Sequence, residues 1–461
     1  MGISVQDELR SVVGPSYCFT AYDQLYNYSN DCTSEPEIVP EMVLLPGTVS
    51  EISQIVKICN RNKIAITVRG GGTGVSGGAL AYNKGIIISL ERLDKIIELN
   101  TLDRMAIIEA GVITKTIQDA ALLAGLCFPQ NISSAASSFI GGNVAVSSGS
   151  PKSLKYGTTK NFIINLEVVL PDGEVIWTGK NVRKNASGYN LTQLFIGSEG
   201  TLGIITKVVL KLVPARKELL MLVPFKRIDK LFDFVHSFFQ NGYEASSIEF
   251  IDKMGTKIVA GYVKGFENMT NGAEGLLWIE LEGKSPEALL DEAMKLNDFI
   301  NTYTGEQIFI AQTEEELSHV WSLRKKIGPA VMNYSPFRDI DLVVPCSKIR
   351  EIYYEIERIV GKYGLEYTAF GHIGDGNFHV NILYGNIPAA ECEERTRKAV
   401  TEIHMVTARL GGAISGEHGI GHIQAPYLEL TMDKNTIDLM KNIKNLMDPN
   451  GIMNANKIFN L

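Results

Sequence analysis

The chain has 461 residues, 45% hydrophobic and 21% charged, and carries a formal net charge of −8. That length is too great for one ordinary core and implies two or three globular domains. An acidic balance without a basic cluster argues against nucleic acid as a partner, and no apolar run reaches the ~18 residues that a membrane span requires.

The N-terminus, MGISVQDELR, lacks a cationic stretch leading into an apolar core, so no secretory signal is expected. Gln6 stands where N-myristoylation needs Ser or Thr. Six cysteines, at 18, 32, 59, 127, 346 and 392, form no CxxC pair, which argues against iron–sulfur clusters and cysteine-type zinc sites. Scattered thiols of this kind read as small hydrophobes and fit a reducing cytoplasm.

Residues 46–62 predict a helix, because Thr48 and Glu51 have capping-box spacing and Ile52, Ile55, Val56 and Cys59 recur on one face. A strand over 64–68 follows, then the run RGGGTGVSGG from Arg69 to Gly78, then a second strand over 85–90. Glycine lets backbone N–H groups approach a ligand and admits positive φ, so this run predicts a pocket that grips an anion such as phosphate. Gly72-x-Gly74-x-x-Gly77 matches the Rossmann fingerprint, but that fingerprint opens a helix and a strand follows here. A flexible linker would not join two apolar strands.

Further along come a helix near 116–124, a small-residue stretch over 133–150 containing Gly141, Gly142 and Asn143 at a turn, and Lys155-Tyr156-Gly157. Residues 163–178 predict a hairpin turning at Asp172-Gly173, and 202–213 a second hairpin-like segment ending at Pro214. A third glycine-rich cluster spans 185–203. Three such loops in order would surround an extended ligand with both phosphate and ring portions. From about 215, amphipathic helices over 230–240, 286–303, 314–331 and 349–363 alternate with strands such as 275–281 and 341–344. More helix follows over 424–461, with a turn at 448–451.

Five of the seven histidines fall between 372 and 422. In His372-Ile-Gly-Asp-Gly-Asn-Phe-His379 a tight turn at 374–377 can fold the flanks so that both imidazoles face one point. Glu417 could add a carboxylate, and two His with one Glu leave open positions on a divalent metal.

The elements 69–78, Ile140-Gly141-Gly142-Asn143, Lys155-Tyr156-Gly157, Gly188-Tyr189-Asn190-Leu191 and Gly197 to Gly203 (GSEGTLG) resemble the FAD-binding domain of the vanillyl-alcohol-oxidase/PCMH superfamily. Their order resembles its D-2-hydroxyacid dehydrogenase branch, which includes glycolate oxidases and D-lactate dehydrogenases. The resemblance implies an α+β fold. A PCMH-type FAD-binding domain would span 36–214, with an N-terminal segment 1–35. An α+β cap domain with an antiparallel sheet and the metal site would span 215–423. A C-terminal helical segment, 424–461, would return to the FAD domain. It further implies that Arg69, Gly70, Gly71, Gly72, Thr73, Gly74, Gly77, Gly141, Gly142, Asn143, Tyr156, Gly157 and Ile205 bind the cofactor. Many members attach flavin through a His in the first loop; Thr73 and no His stands in this one, so FAD is expected to be non-covalent.

The same resemblance makes His372, His379 and Glu417 metal ligands for zinc or manganese. Asn381 and Arg324 become substrate contacts, and His418 a substrate contact and the general base. A guanidinium fork in Trp321-Ser322-Leu323-Arg324 suits a substrate carboxylate. Where relatives acting on D-2-hydroxyglutarate carry Thr and Lys for a distal carboxylate, this chain has Gly328 and Asp339, with Arg338 adjacent. That departure favours D-lactate or glycolate as substrate; D-2-hydroxyglutarate and direct use of O₂ are the alternatives within the family. Electrons would leave to an electron-transferring flavoprotein, an iron–sulfur subunit or a quinone, with peripheral membrane association allowed. A non-catalytic flavin subunit and a zinc hydrolase are the competing classes. His236, His319 and His404 fit no motif and read as structural or surface residues; His422 is a further candidate near the metal.

Overall fold

The computed structural model describes residues 4–33, 35–270 and 272–459. The chain forms two compact units. One comprises Met1–Gly149, Thr158–Ala215 and Glu417–Leu461; the other comprises Ser150–Gly157 and Arg216–Gly416. The expected segmentation differs from these units in two places. Residues 150–157, with Tyr156 and Gly157, pack with the second unit, and 417–423 pack with the first.

The first unit contains a four-stranded sheet ordered Cys18–Phe19, Met42–Leu44, Ile86–Ser89, Ile66–Arg69. Its last three strands run parallel, and all four positions of Ile86–Ser89 are buried, as a central parallel strand requires. The predicted helix forms as Val49–Asn62 and buries Ile52, Ile55, Val56 and Cys59. Thr48 caps it by accepting the Glu51 N–H at 3.2 Å, but the Glu51 carboxylate accepts from Gly47, one residue past the position a capping box would use. The helix predicted near 116–124 spans Thr114–Leu123.

A five-stranded antiparallel sheet follows, ordered Ile96–Asn100, Met105–Glu109, Ile204–Lys211, Ile163–Val169, Val175–Trp177. The hairpin at Asp172-Gly173 forms as predicted, with Val169 opposite Val175. The second expected hairpin does not. Residues Ile204–Lys211 make one strand that pairs on both edges, with Met105–Glu109 and with Ile163–Val169. The C-terminal part of the unit adds helix Lys434–Met447 and a short parallel bridge from Met453 to Ile66.

The second unit is built on a seven-stranded antiparallel sheet. Its order is Phe309–Ala311, Lys217–Phe225, Gly275–Gly283, Ser247–Asp252, Glu366–Gly371, Asn377–Leu383, Phe337–Val343. Helices Ile228–Gln240, Pro286–Ile300 and Ile349–Lys362 lie close to prediction. The single helix expected over 314–331 is two, Glu314–Lys325 and Ile327–Tyr334. Pro329 cannot donate to the carbonyl four residues back, so the first helix stops and the second starts with Pro329 in its first turn. The α+β class is the observed one. Among the described residues no helix is long and apolar enough to cross a membrane, and the cysteines form no disulfide.

Candidate functional site

Strand Ile66–Arg69 delivers the first glycine loop, and the loop closes onto the second glycine stretch within the same unit. A Cβ at Gly71 would lie 2.2 Å from the Ser137 carbonyl oxygen, and one at Gly70 3.6 Å from Phe139 Cβ and 3.8 Å from Gly142 Cα. At Gly72, with φ +67°, a Cβ would meet the Arg69 guanidinium at 2.3 Å. In contrast, a Cβ at Gly74, Gly78 or Gly142 would project into open space. The facing loops therefore leave backbone bordering open space, which suits a ligand held by main-chain N–H donors. Arg69 is buried at the root of the loop, and its Nη1 has no hydrogen-bond partner among the described residues.

The turn expected at 141–143 is instead the start of a helix, Ile140–Val146. Gly141 packs inward, where a Cβ would stand 2.7 Å from Ala110 Cβ. The Asn143 side chain also faces inward and donates to Thr114 Oγ1 at 2.6 Å. Ile205 is buried in its strand. Tyr156 donates to the Glu282 carboxylate at 2.6 Å, and Gly157 adopts φ +77°.

The Gly197–Gly203 cluster and the segment after Gly416 meet beside the first glycine loop. The Glu199 carboxylate accepts the N–H groups of Ile420 at 2.8 Å and Gly421 at 2.7 Å. Ser76 Oγ donates to the His418 carbonyl at 2.8 Å, and its own carbonyl accepts from His422 N–H at 2.9 Å. The His422 ring stacks on Tyr82 with centroids 3.7 Å apart. Lys457 Nζ donates to the carbonyls of Gly77 at 2.8 Å and Leu80 at 2.5 Å. Burial pushes the Glu199 carboxyl up to about 7 and the Lys457 ammonium down to about 7. His418 Nε2 lies 3.8 Å from Glu417 Oε1, and the Glu417 carboxylate packs on Gly149, where a Cβ would stand 2.5 Å from Oε2.

In the second unit, Glu366–Gly371 and Asn377–Leu383 form a hairpin closed by the turn Ile373–Asp375. Gly376 sits at φ +75° with Val344 oxygen 2.0 Å from where a Cβ would stand, so the tight turn requires glycine. The hairpin brings the rings of His372 and His379 to 5.4 Å between centroids, at 85°. His372 Nδ1 bonds Glu249 Oε1 at 2.6 Å, which leaves Nε2 to face outward from that bond. His379 Nδ1 is 3.8 Å from Asp341 Oδ1. Asp341 also accepts from Asn377 Nδ2 at 2.8 Å, Ser415 Oγ at 2.9 Å and Gly416 N–H at 2.9 Å. It thereby fixes the residues that immediately precede Glu417 in the chain.

Arg324 does not stand alone, since its Nε and Nη2 bond Glu249 Oε2 at 2.8 and 2.6 Å. Glu249 is fully buried; burial opposes its ionisation, but the charges of His372 and Arg324 outweigh it and hold the carboxyl below its ordinary value. Asn381 Nδ2 donates to Asp339 at 2.6 Å across paired strands. Of the other histidines, His236 bonds the Cys346 carbonyl at 3.0 Å and His404 is fully buried in helix Ala389–Arg409. Sequence reading missed Glu249, Asp341, Glu199, Lys457 and Ser76. The available signal was a charge inside an apolar strand, as in Ile248-Glu249-Phe250-Ile251 and Ile340-Asp341-Leu342.

Known proteins resemble the chain along nearly its whole length. Residues 40–179 match the FAD binding domain family, and residues 214–458 match the family described as FAD linked oxidases, C-terminal domain. The chain is 34% identical to the glycolate oxidase subunit GlcD of Bacillus subtilis (strain 168), over 99% of this chain and 96% of that protein. It is 32% identical to a D-2-hydroxyglutarate dehydrogenase of Stutzerimonas stutzeri (strain A1501), over 98% of each. A D-lactate dehydrogenase of Anaerostipes hadrus is also 32% identical, over 91% of this chain and 89% of that one. Among solved structures, p-cresol methylhydroxylase with substrate bound shares the fold with a TM-score of 0.80 at 19% identity, covering 98% of this chain and 96% of that one. Matched by family over both of its halves and by relatives nearly end to end, the chain belongs to the FAD-linked oxidases.

Proposed function

We propose that the protein oxidises a small D-2-hydroxyacid, D-lactate or glycolate, to the 2-oxoacid with FAD as the oxidant. The reading is supported most by one arrangement in the first unit: Ser76 of the glycine loop bonds the backbone of His418, so the proposed base is tied to the proposed cofactor cradle.

FAD would be held without a covalent bond by the loop from Arg69 to Gly77, with Thr73 in place of an attaching His, and by Gly142 facing it. The buried Arg69 Nη1 suits a cofactor oxygen. His372, His379 and Glu417 would hold a divalent cation. The donor set of two imidazoles and a carboxylate suits zinc or manganese, with nitrogen favouring zinc. Bound FAD supplies a hydride acceptor, and the bound cation lowers the pKa of the substrate hydroxyl. His418 takes the hydroxyl proton. Arg324 offers its remaining Nη1 edge to the substrate carboxylate, and Asn381 contacts the substrate. Asp339, bonded to Asn381, adds negative charge on that strand and disfavours a second carboxylate such as that of D-2-hydroxyglutarate.

The reduced protein would hand electrons to a separate acceptor, an electron-transferring flavoprotein, an iron–sulfur subunit or a quinone. An acidic chain whose thiols form no disulfide suits the cytoplasm. The test is spectroscopic. Purified protein should be yellow and bleach anaerobically with D-lactate or glycolate, and EDTA should abolish bleaching while leaving the colour. No bleaching by any short D-2-hydroxyacid would overturn the activity, and bleaching that survives metal removal would overturn the metal's role.

A further inference from the structure

Glu249 sits on Ser247–Asp252, an interior strand of the second unit's sheet, and its side chain is wholly buried. Phe250 pairs with Gly371 across the sheet, which sets Glu249 beside His372 at the mouth of the hairpin. Desolvating a carboxylate costs several kcal/mol, on the order of a small domain's net stability, unless donors surround it. Both oxygens of Glu249 are engaged, and by different partners. Oε1 meets His372 Nδ1 at 2.6 Å; Oε2 meets Arg324 Nε at 2.8 Å and Nη2 at 2.6 Å.

We propose that Glu249 is a positioning residue shared by two functions, one oxygen orienting the metal ligand His372 and the other orienting the carboxylate-binding Arg324. The inference rests on the function proposed above and deepens it. An acceptor at Nδ1 keeps the proton there and leaves the Nε2 lone pair for a cation. Because Oε2 takes the side edge of the guanidinium, the Nη1 end is what a substrate carboxylate meets. Arg324 also lies over the Phe370 ring at 5.4 Å, and Phe370 packs on His379 at 5.4 Å, so the guanidinium is fixed on two sides. Gln at 249 can satisfy only one partner: with its oxygen toward His372 its amide faces the guanidinium, and flipped it offers an N–H to Nδ1.

The test measures zinc affinity of flavin-loaded protein by competition with a chromogenic chelator. Two double variants remove both charges, Glu249→Gln/Arg324→Met and Glu249→Leu/Arg324→Met. Replacement of a buried ion pair by neutral groups of similar size is tolerated, so neither leaves an unpaired charge. The Gln form keeps an acceptor for His372 and the Leu form does not. The Leu form should bind zinc roughly 10- to 100-fold more weakly than the Gln form. Equal affinities would overturn the proposal, because a purely structural ion pair makes no distinction between them. In the single variant Glu249→Gln, inhibition by propionate, a carboxylate with no hydroxyl for a metal, should weaken about tenfold, with KM for D-lactate rising more than kcat falls. Unchanged propionate inhibition would remove the arginine arm. If that variant yields no flavin-loaded protein, the double variants decide the histidine arm, and Glu249→Asp, which keeps the charge but draws it back from the guanidinium, takes its place in the propionate measurement with the same expected and overturning results. Wild-type protein that takes up neither zinc nor manganese would instead overturn the underlying metal reading.

Discussion

One imidazole carries the proton in the proposed reaction, and its surroundings favour that work. His418 is partly exposed and its ring sits 3.8 Å from the Glu417 carboxylate, while its backbone is pinned by Ser76. His418→Ala removes the base without touching the glycine loop. The variant should keep its FAD yet be reduced by D-lactate roughly 10²- to 10⁴-fold more slowly, measured by anaerobic stopped-flow bleaching. A wild-type rate would take His418 out of the role of base. At this scale the sequence spoke clearly where residues cluster along the chain, as with His372 and His379. For Glu249 and Asp341 it offered only a charge among apolar neighbours and no partner, since the residues they hold, His372 and Asn377, lie 123 and 36 positions away. A lone acid in a strand looks the same in sequence whether it faces water or a buried imidazole; only the fold makes the difference.

The elements that build the cradle include one far removed from it in sequence. Lys457 approaches the glycine loop and donates to the carbonyls of Gly77 and Leu80, 380 and 377 positions earlier. Lys457→Met would leave two buried acceptors without their donor, at about 1–3 kcal/mol each. Flavin should then dissociate at least tenfold more readily, read by fluorescence of released FAD on dilution, with the second unit's sheet unchanged. Flavin retention equal to wild type would mean that the lysine does not shape the loop. Sequence periodicity placed most of the helices it predicted within a turn of their observed ends, because amphipathic faces repeat locally, but it gave no sign of Lys253–Tyr262 or Ala389–Arg409. It misread 204–211 because an apolar run reads alike as one strand paired on both edges or two strands folded on each other. It merged Glu314–Lys325 with Ile327–Tyr334 because both halves keep helical spacing across the break before Pro329.

For the whole molecule, the buried charges of the first unit make stability depend on pH. Glu199 has a carboxyl raised from 4.5 to about 7, chiefly by burial, against the pull of two backbone N–H groups and Lys457. A carboxyl that holds its proton more tightly in the folded chain stabilises the fold most at low pH. That contribution is complete below about pH 4.5 and is lost as pH rises through about 7. The stability of wild type minus that of Glu199→Gln, from urea unfolding of the flavin-loaded protein, should therefore shrink between these limits, by up to ~3 kcal/mol. A difference independent of pH would show that folding does not raise the Glu199 carboxyl.

The pairing of Val68 with Asn454, residues 386 positions apart, also imposes an order of events during synthesis. At ~5–20 residues per second, about 20 to 80 s separate their emergence from the ribosome. Through that interval the early strands and their glycine loop wait with an edge unsealed, while the intervening sheet of Arg216–Gly416 has its own residues in hand and can collapse first. The first unit can therefore be completed only after the second is fully synthesised, and the period before residues 452–459 appear is when its open edge most needs chaperone protection.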